Sequence, residues 1–413
     1  MAKPAPRETA IWVVQRLVER GFQALFAGGC VRDMLLEHPV FDYDVATNAT
    51  PDDVQKIFPR VLLVGAKFGV AMVLHRGRKV EVTTFRSDAS YSDGRRPDAV
   101  TFTSAREDAQ RRDFTINGMF YDPLKDELID YVGGQDDLRR RIIRTIGRPE
   151  QRFGEDYLRM LRAARFSVRL GFAIESETAQ AIRVLSDKIT AISGERIFEE
   201  LSKMLVRASA AEAMDLLIDL NLAQHIFPDE LTADESRLTR ARQRLAKVAP
   251  KKNVTLALAA LLAETPPKAI RACVRRWGAS NELRDELSYL AARVDGWQTA
   301  ADTQLADFKF LMGSPYWPHL QALWHAQEKL VTGRFDQAKR IADRATAVKP
   351  EAVCPPALIT GADLHALGVT DGPTMGKLLR RLYEAQLNEE FSTRQAAMEQ
   401  ARRLTEEMQE RES

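Results

Sequence analysis

Cysteine is scarce in this chain: Cys30, Cys273 and Cys354 are the only three among 413 residues. At most one pair can form, and no spacing suits a metal, so a disulfide framework and a zinc module are excluded. A reducing compartment, the cytoplasm, is expected. Long hydrophobic runs are lacking too. The longest, near Val254–Ala263, stops at Glu264 and is too short to span a bilayer, so no membrane partner is expected. The first residues, Met1–Arg7, lead into an amphipathic helix and not an apolar signal core. Net charge is nearly absent: 60 Lys and Arg face 58 Asp and Glu, for a formal +2. That excludes a histone-like polycation and a long acidic tail. No internal repeat or low-complexity tract occurs. What is there is ordinary for a globular chain, 45% hydrophobic and 29% charged, and long enough for roughly three domains at about 150 residues each.

Strand-like and helix-like signals alternate over the first third. The pattern predicts a helix over 7–20, a strand over 22–27, a Gly28-Gly29 turn, a short helix over 30–37 and a second strand over 41–46. Thr50 then reads as an N-cap with Pro51 at the first helical position. Further strands are expected at 61–64, 70–75 and 79–85, the last two joined by Arg76-Gly77-Arg78. From about Pro149 strand signals fade. Segments 157–168, 175–185 and 195–205 carry apolar residues at three- and four-residue spacing, and the helical pattern continues to the end. It is broken at Thr265-Pro266-Pro267, at Ser314-Pro315 and from Lys349-Pro350 to Pro355-Pro356, the last being the best linker candidate. An α+β unit therefore precedes a helical remainder.

The densest chemistry lies in Gly28-Gly29-Cys30-Val31-Arg32-Asp33, followed by Asp42-Tyr43-Asp44-Val45. On a strand, Asp42 and Asp44 would share one face within roughly 7 Å. Two carboxylates so placed repel, and a divalent cation reconciles them. Mg²⁺ suits such a pair, because it takes hard oxygen ligands from one or two carboxylates and from substrate phosphates. The glycines permit close backbone approach to a phosphate, and Arg32 adds a charged fork for a triphosphate. Alone, Asp-x-Asp is usually a solvated turn and Gly-Gly a simple one. In this order they point to nucleotidyl transfer, with the metal held by Asp42 and Asp44.

These stretches, with Val45-Ala46-Thr47-Asn48-Ala49-Thr50-Pro51 after them, resemble the head motif of bacterial class II tRNA nucleotidyltransferases. That family includes CCA-adding enzymes and bacterial poly(A) polymerases. Four further stretches match in order: Val80–Arg86, Arg111–Met119, Asp130–Gly134 and Glu155–Arg162. The resemblance is dense over about residues 20–205 and thin beyond. It implies a polymerase-β-like nucleotidyltransferase head followed by an all-helical neck, body and tail. The expected division is a catalytic head at 1–142, a base- and RNA-binding neck at 143–210, a body at 211–350 and a tail at 351–413 that contacts tRNA. It also implies that Asp42 and Asp44 are the catalytic metal pair and that Gly29 and Arg32 contact the nucleotide. Asp113, in the Arg-Arg-Asp motif, would meet the nucleotide sugar and be essential, with Arg112 as a further contact. Glu81, mid-strand between apolar neighbours, is either a support for the metals or half of a structural ion pair.

Asp156, Arg159, Arg162 and Arg165 recur every three residues, which on a helix sets Asp156 beside Arg159. A surface ion pair is the plain reading. Base chemistry offers another. Cytosine and adenine each present an exocyclic amine next to a ring-nitrogen acceptor, so a carboxylate accepts from the amine while a guanidinium donates to the nitrogen. Uracil and guanine place a carbonyl and an N–H there, and both contacts fail. One Asp–Arg pair thus accepts C and A without a template. The resemblance assigns that reading to Asp156 and Arg159, with Arg162 and Arg165 as further nucleotide contacts. In the family a loop at the place of Asp88–Pro97 is needed to add the terminal A, so its presence favours full CCA or A addition.

Residues 139–169 hold ten arginines against Glu150, Glu155 and Asp156, a local +7. Such a cluster is the footprint of a polyphosphate or nucleic acid, here the nucleotide and the tRNA 3′ end. Downstream, Gly361 through Arg381 forms a glycine-rich turn opening a basic helix, suited either to a backbone phosphate or to packing. None of the six histidines (38, 75, 225, 319, 325, 365) precedes an aspartate, so the phosphohydrolase domain of some relatives is not expected. Trp317 and Trp324 read as core. The expected activity is addition of CCA to the tRNA 3′ end from CTP and ATP with Mg²⁺, releasing pyrophosphate. The rivals are a poly(A) polymerase and an A-adding or CC-adding enzyme. A non-catalytic RNA-binding protein is disfavoured by the intact acidic pair. Poly(A) polymerases resemble one another in a stretch Gly-[Arg/Lys]-[Arg/Lys]-Phe-x-Leu-Ala-His. Here Gly65-Ala66-Lys67-Phe68-Gly69-Val70-Ala71-Met72 lacks the first basic residue and the histidine, which favours tRNA repair.

Overall fold

Pro6, with its fixed φ, opens the first helix, α1 (Pro6–Val18), whose Thr9, Ala10, Val13, Val14 and Leu17 are buried. That i, i+3, i+4 stripe is the face packed on β1 (Ala24–Ala27), β2 (Val45–Thr47) and β5 (Arg78–Thr84). The computed structural model describes residues 5–65, 69–88, 100–370 and 372–412. The expected loop 88–97 beyond Asp88, and residues 66–68 of the stretch compared with poly(A) polymerases, lie outside the described residues.

The sheet that carries the site has seven strands in the order β3-β4-β5-β2-β1-β8-β9. Here β3 is Val61–Gly65, β4 Val70–His75, β8 Phe120–Asp122 and β9 Glu127–Ile129. A separate hairpin pairs β6 (Arg86–Asp88) with β7 (Val100–Phe102). β1 runs antiparallel to β2 and β8, whereas β2 and β5 are parallel, Val45 standing opposite Val82. Leu25, Ala27, Ala46, Phe85 and Phe120 form a core with Ala105 and Ala109 of α4 (Ala105–Gln110). α2 (Gly29–Leu35) follows β1 directly, and α3 (Pro51–Ile57) is capped by Thr50, whose hydroxyl accepts from the Asp53 N–H at 3.2 Å.

The strand expected over 41–46 begins only at Val45. The Ala27 N–H donates to the Asp44 carbonyl at 3.0 Å, and the chain before Asp44 has left the ladder. Phe41, whose apolar side chain suggested a strand, is 76% exposed. Asp42 and Asp44 thus sit on the approach to the strand and not within it.

Beyond the sheet come α5 (Gly134–Arg140), α6 (Pro149–Glu155), α7 (Leu158–Leu170), α8 (Ser176–Leu185) and α9 (Gly194–Leu205). Two dipeptide strands, Ile142–Ile143 and Ala173–Ile174, pair in parallel, the second of them where only helix was expected. α7 buries Leu158, Met160, Leu161, Ala163, Ala164 and Phe166 and packs chiefly on α9. All of this, with residues 1–232 and 276–279, forms one compact unit; residues 233–275 and 280–413 form a second. The second unit is helical. Trp324, 2% exposed, is core as expected, and meets Trp317, which is only half-buried, edge to face at 6.0 Å. A satellite core gathers Leu364, Met375, Leu378, Leu382, Ala401 and Leu404. Among the described residues no helix is long and apolar enough to cross a membrane.

Candidate active site

The turn after β1 is built on Gly28, whose φ of +73° favours glycine and where a Cβ would stand 3.0 Å from the Arg112 guanidinium. Gly29 then opens α2 with no side-chain cap. One turn on, Arg32 is 2% exposed. It donates to Asp33 at 2.9 Å and to the Asn117 side-chain oxygen Oδ1 at 2.6 Å, and lies over the Phe166 ring at 5.1 Å. Burial disfavours the charge of Arg32, and Asp33 works against that shift. Asp33 in turn accepts from Arg169 at 2.8 Å.

Asn117 is the hinge of this network. Its amide N–H donates to Asp113 at 3.0 Å while its oxygen takes Arg32. Asp113, 8% exposed, also accepts from the Phe114 N–H at 2.8 Å and from Arg162 at 2.6 and 2.9 Å. Burial alone would raise this carboxyl, but the Arg162 charge and the hydrogen bonds from Asn117 and Arg162 hold it well below the usual carboxylate range. Arg112 is fixed by Asp108, to which it donates at 2.9 Å, and lies 5.1 Å over the Phe120 ring.

Asp44 behaves oppositely. Its side chain is open to water, yet protein crowds it on most sides. That burial, then the Glu81 charge and more weakly Asp42, push its carboxyl up to about 6, against the pull of Arg112. The parallel register sets Glu81 beside Asp44, and Glu81 is exposed on the open face of β5. Its apolar neighbours Val80 and Val82 face the opposite side, and Glu81 shares a hollow with Asp44, Arg111 and Arg112.

A cleft of about 490 Å³ collects these groups. Gly29, Arg32, Asp44, Arg112, Asp113, Asp156, Arg159, Arg162 and Arg165 all line it. Eight arginines face three aspartates there, a field made for a polyphosphate. Asp42 is the exception. It is exposed and lines a separate hollow of about 280 Å³ with Phe41, Tyr43 and Lys79.

The expected side-by-side pair on one helix is also corrected. Asp156 occupies the break between α6 and α7, with φ −156° and ψ 104°. It accepts from the Leu158 N–H, the first of the new helix, at 3.1 Å. Asp156 and Arg159 share the cleft but hold other partners. Asp156 is gripped by Arg196, while Arg159 donates to Glu155 and to the Arg152 carbonyl at 2.9 Å. Arg165 pairs with Glu200 and stacks 4.1 Å over Phe166. The arginine-rich stretch divides: 159, 162, 165 and 169 face the cleft, whereas Arg144 and Arg152 serve ion pairs with Asp137, Glu175 and Glu155.

Sequence reasoning missed Arg111, Asn117, Arg169 and Arg196. The first two lie inside the Arg111–Met119 stretch, and Arg169 nearly continues the three-residue spacing. No sequence signal marks Arg196, which stands forty residues from its partner.

The seven-stranded mixed sheet, with a glycine turn, a carboxylate at a strand mouth and an arginine-lined cleft, is the architecture of a nucleotidyltransferase head. Residues 24–144 match the family described as the Poly A polymerase head domain, and 171–232 match a probable RNA- and SrmB-binding site of polymerase A. The chain is 46% identical over 222 residues to the CCA-adding enzyme of Geobacillus stearothermophilus, where the alignment spans 54% of this chain and 55% of that one. It is 34% identical over 400 residues to the CCA-adding enzyme of Limosilactobacillus fermentum, spanning 94% and 96% of the two chains. Among solved structures, the Bacillus stearothermophilus CCA-adding enzyme in complex with CTP is similar at TM-score 0.79 and 30% identity, over 98% of this chain and 100% of that one. A Thermotoga maritima CCA-adding enzyme complexed with tRNA shares the fold at TM-score 0.67 and 20% identity, over 97% and 96%. The chain belongs to the CCA-adding enzyme family.

Proposed function

We propose that this protein adds CCA to the 3′ end of tRNA without a template, using CTP and then ATP and releasing pyrophosphate. The observation that carries the reading is the single cleft. It joins a carboxylate at the strand mouth to an arginine field and to one Asp and one Arg able to read a base. The named activity of relatives that align over nearly the whole chain supports it. A reaction that consumes nucleoside triphosphates and tRNA belongs in the cytoplasm.

The donor set fits a hard divalent cation, for which we propose Mg²⁺. Burial, and after it the charges of Glu81 and Asp42, raise Asp44 to about 6, and a cation offsets that loss of charge. Among the described residues no group of three or more His, Cys, Asp or Glu side chains is placed to hold a metal alone. Asp44 in the cleft, with Asp42 near enough to act on its charge from the neighbouring hollow, would therefore share the ion with phosphate oxygens of the nucleotide, as magnesium prefers. When bound, the cation would activate the tRNA 3′-hydroxyl and offset charge developing at the α-phosphate.

The chain's own groups do the rest. Of the five N–H donors of Arg32, Asp33 and Asn117 engage three, so two remain for the triphosphate. Gly29 leaves the backbone clear beside it. Arg112 adds charge next to Asp44, and Asp113, saturated and ionised, anchors Arg162 toward the nucleotide. Asp156 accepts from the exocyclic amine of C or A, and Arg159 donates to the ring nitrogen. Arg165 completes the nucleotide contacts. On this reading residues 1–142 do the chemistry, 143–210 read the base and hold the primer end, 211–350 form the body and 351–413 contact tRNA.

Supplying tRNA that lacks its last three nucleotides with each labelled triphosphate, singly and together, tests the proposal. CTP alone should add two residues, and both triphosphates three. A long tail of A would instead establish a poly(A) polymerase, and a stop after CC or a need for preformed CC would establish a split enzyme. Asp42→Ala and Asp44→Asn should each lower turnover at least about a hundredfold while tRNA binding persists.

A further inference from the structure

Arg196 lies in the first turn of α9 and reaches Asp156 with both guanidinium ends: Nη1 donates to Oδ1 at 3.2 Å and Nη2 to Oδ2 at 2.7 Å. Both side chains are largely shielded, at 18% and 14% exposure, and both line the cleft. We infer that Arg196 is a positioning residue that sets base selectivity by fixing the plane of the Asp156 carboxylate. This rests on the base-reading role given to Asp156 above.

A carboxylate offers about four acceptor sites. The Leu158 N–H takes one on Oδ1 and Arg196 takes one on each oxygen. The site left over is on Oδ2, and it accepts one N–H. An exocyclic amine supplies that N–H, whereas the carbonyl of uracil or guanine brings a lone pair against it. The rejection is sharp only while the carboxylate cannot turn. A carboxylate free about χ2 accepts a bridging water, and the water can then donate to a carbonyl and tolerate the wrong base. The two-point grip of a planar fork removes that freedom, which one ammonium cannot do.

α9 is held where Arg196 can reach. Gly194 lies so near the Arg276 carbonyl that a Cβ there would meet its oxygen at 1.7 Å. Arg276 itself donates to the Ile226 carbonyl at 2.7 Å. The partners of Arg159 lie elsewhere, on Glu155 and the Arg152 carbonyl, so removing Arg196 leaves the donor half of the reading pair in place.

The test compares kcat/KM for CTP and UTP on tRNA lacking CCA for the wild type, Arg196→Met, Arg196→Lys and Asp156→Ala. Arg196→Met should lower the CTP-to-UTP ratio about tenfold to a hundredfold, mainly through a gain in UTP use. Arg196→Lys restores charge and bulk, so it should recover thermal stability without recovering the ratio. Asp156→Ala/Arg196→Met should be no less selective than Asp156→Ala, since the two act as one unit. If Arg196→Met and Arg196→Lys slow both triphosphates equally and keep the ratio while Asp156→Ala relaxes it, Arg196 is only structural and this inference fails. If Asp156→Ala also keeps the wild-type ratio, the base-reading role itself is wrong.

Discussion

Asp44 and Asp113 are two carboxyls in one cleft pushed in opposite directions. Asp44, desolvated by its surroundings and then crowded by Glu81 and Asp42, loses its charge as pH falls through about 6. The Mg²⁺ concentration for half-maximal activity should therefore rise about tenfold between pH 7 and pH 5, read from metal titrations at each pH. An unchanged requirement would remove Asp44 as a ligand. Asp113 has a depressed folded-state value, so its contribution to stability is complete above the ordinary carboxylate range and is lost as pH falls below about 4. Asp113→Asn should cost about 2 kcal/mol near neutrality by urea unfolding, and the deficit should shrink toward pH 3. Of the eleven site candidates named from sequence, nine line the cleft, and Asp42 and Glu81 lie in adjoining hollows. What sequence could not supply was their partners: Asn117 between Arg32 and Asp113, or Arg162 reaching back across 49 residues.

Elements decide where those residues point. The three-residue spacing from Asp156 to Arg165 is compatible with one helix, yet the chain breaks at Asp156 and restarts at Leu158. A signal was present, since an Asp just before an apolar run is a cap candidate, but periodicity alone outweighs it. β2 was overextended because Phe41 looks like strand and is exposed. Thr50 was readable, because its capping partner is three residues away; Thr50→Ala should cost about 1 kcal/mol. Gly194→Ala belongs to the same scale. Its Cβ would strike backbone and not a yielding side chain, so a loss of about 1 to 3 kcal/mol is expected by urea unfolding. A neutral result would mean that α9 shifts freely.

For the whole molecule, a net +2 conceals a cleft with eight arginines and three aspartates. Binding of tRNA should accordingly be steeply salt-dependent, weakening about a hundredfold between 50 and 200 mM salt if four phosphates are held. Filter binding across that range would show it, and a flat response would place tRNA away from the arginines. The chemistry on offer was legible from residue order alone: the glycine turn, Asp42 and Asp44, the Arg-Arg-Asp stretch, and an arginine-rich segment after an α+β head. These are short-range patterns, set by residue type and spacing of a few positions. Folding in three dimensions was needed to set Arg162 against Asp113, to turn Asp42 to a neighbouring hollow and to bring Arg196 onto Asp156. Such choices depend on which charges the fold takes out of water together, and contacts across 40 and 49 residues leave no periodic trace in the chain.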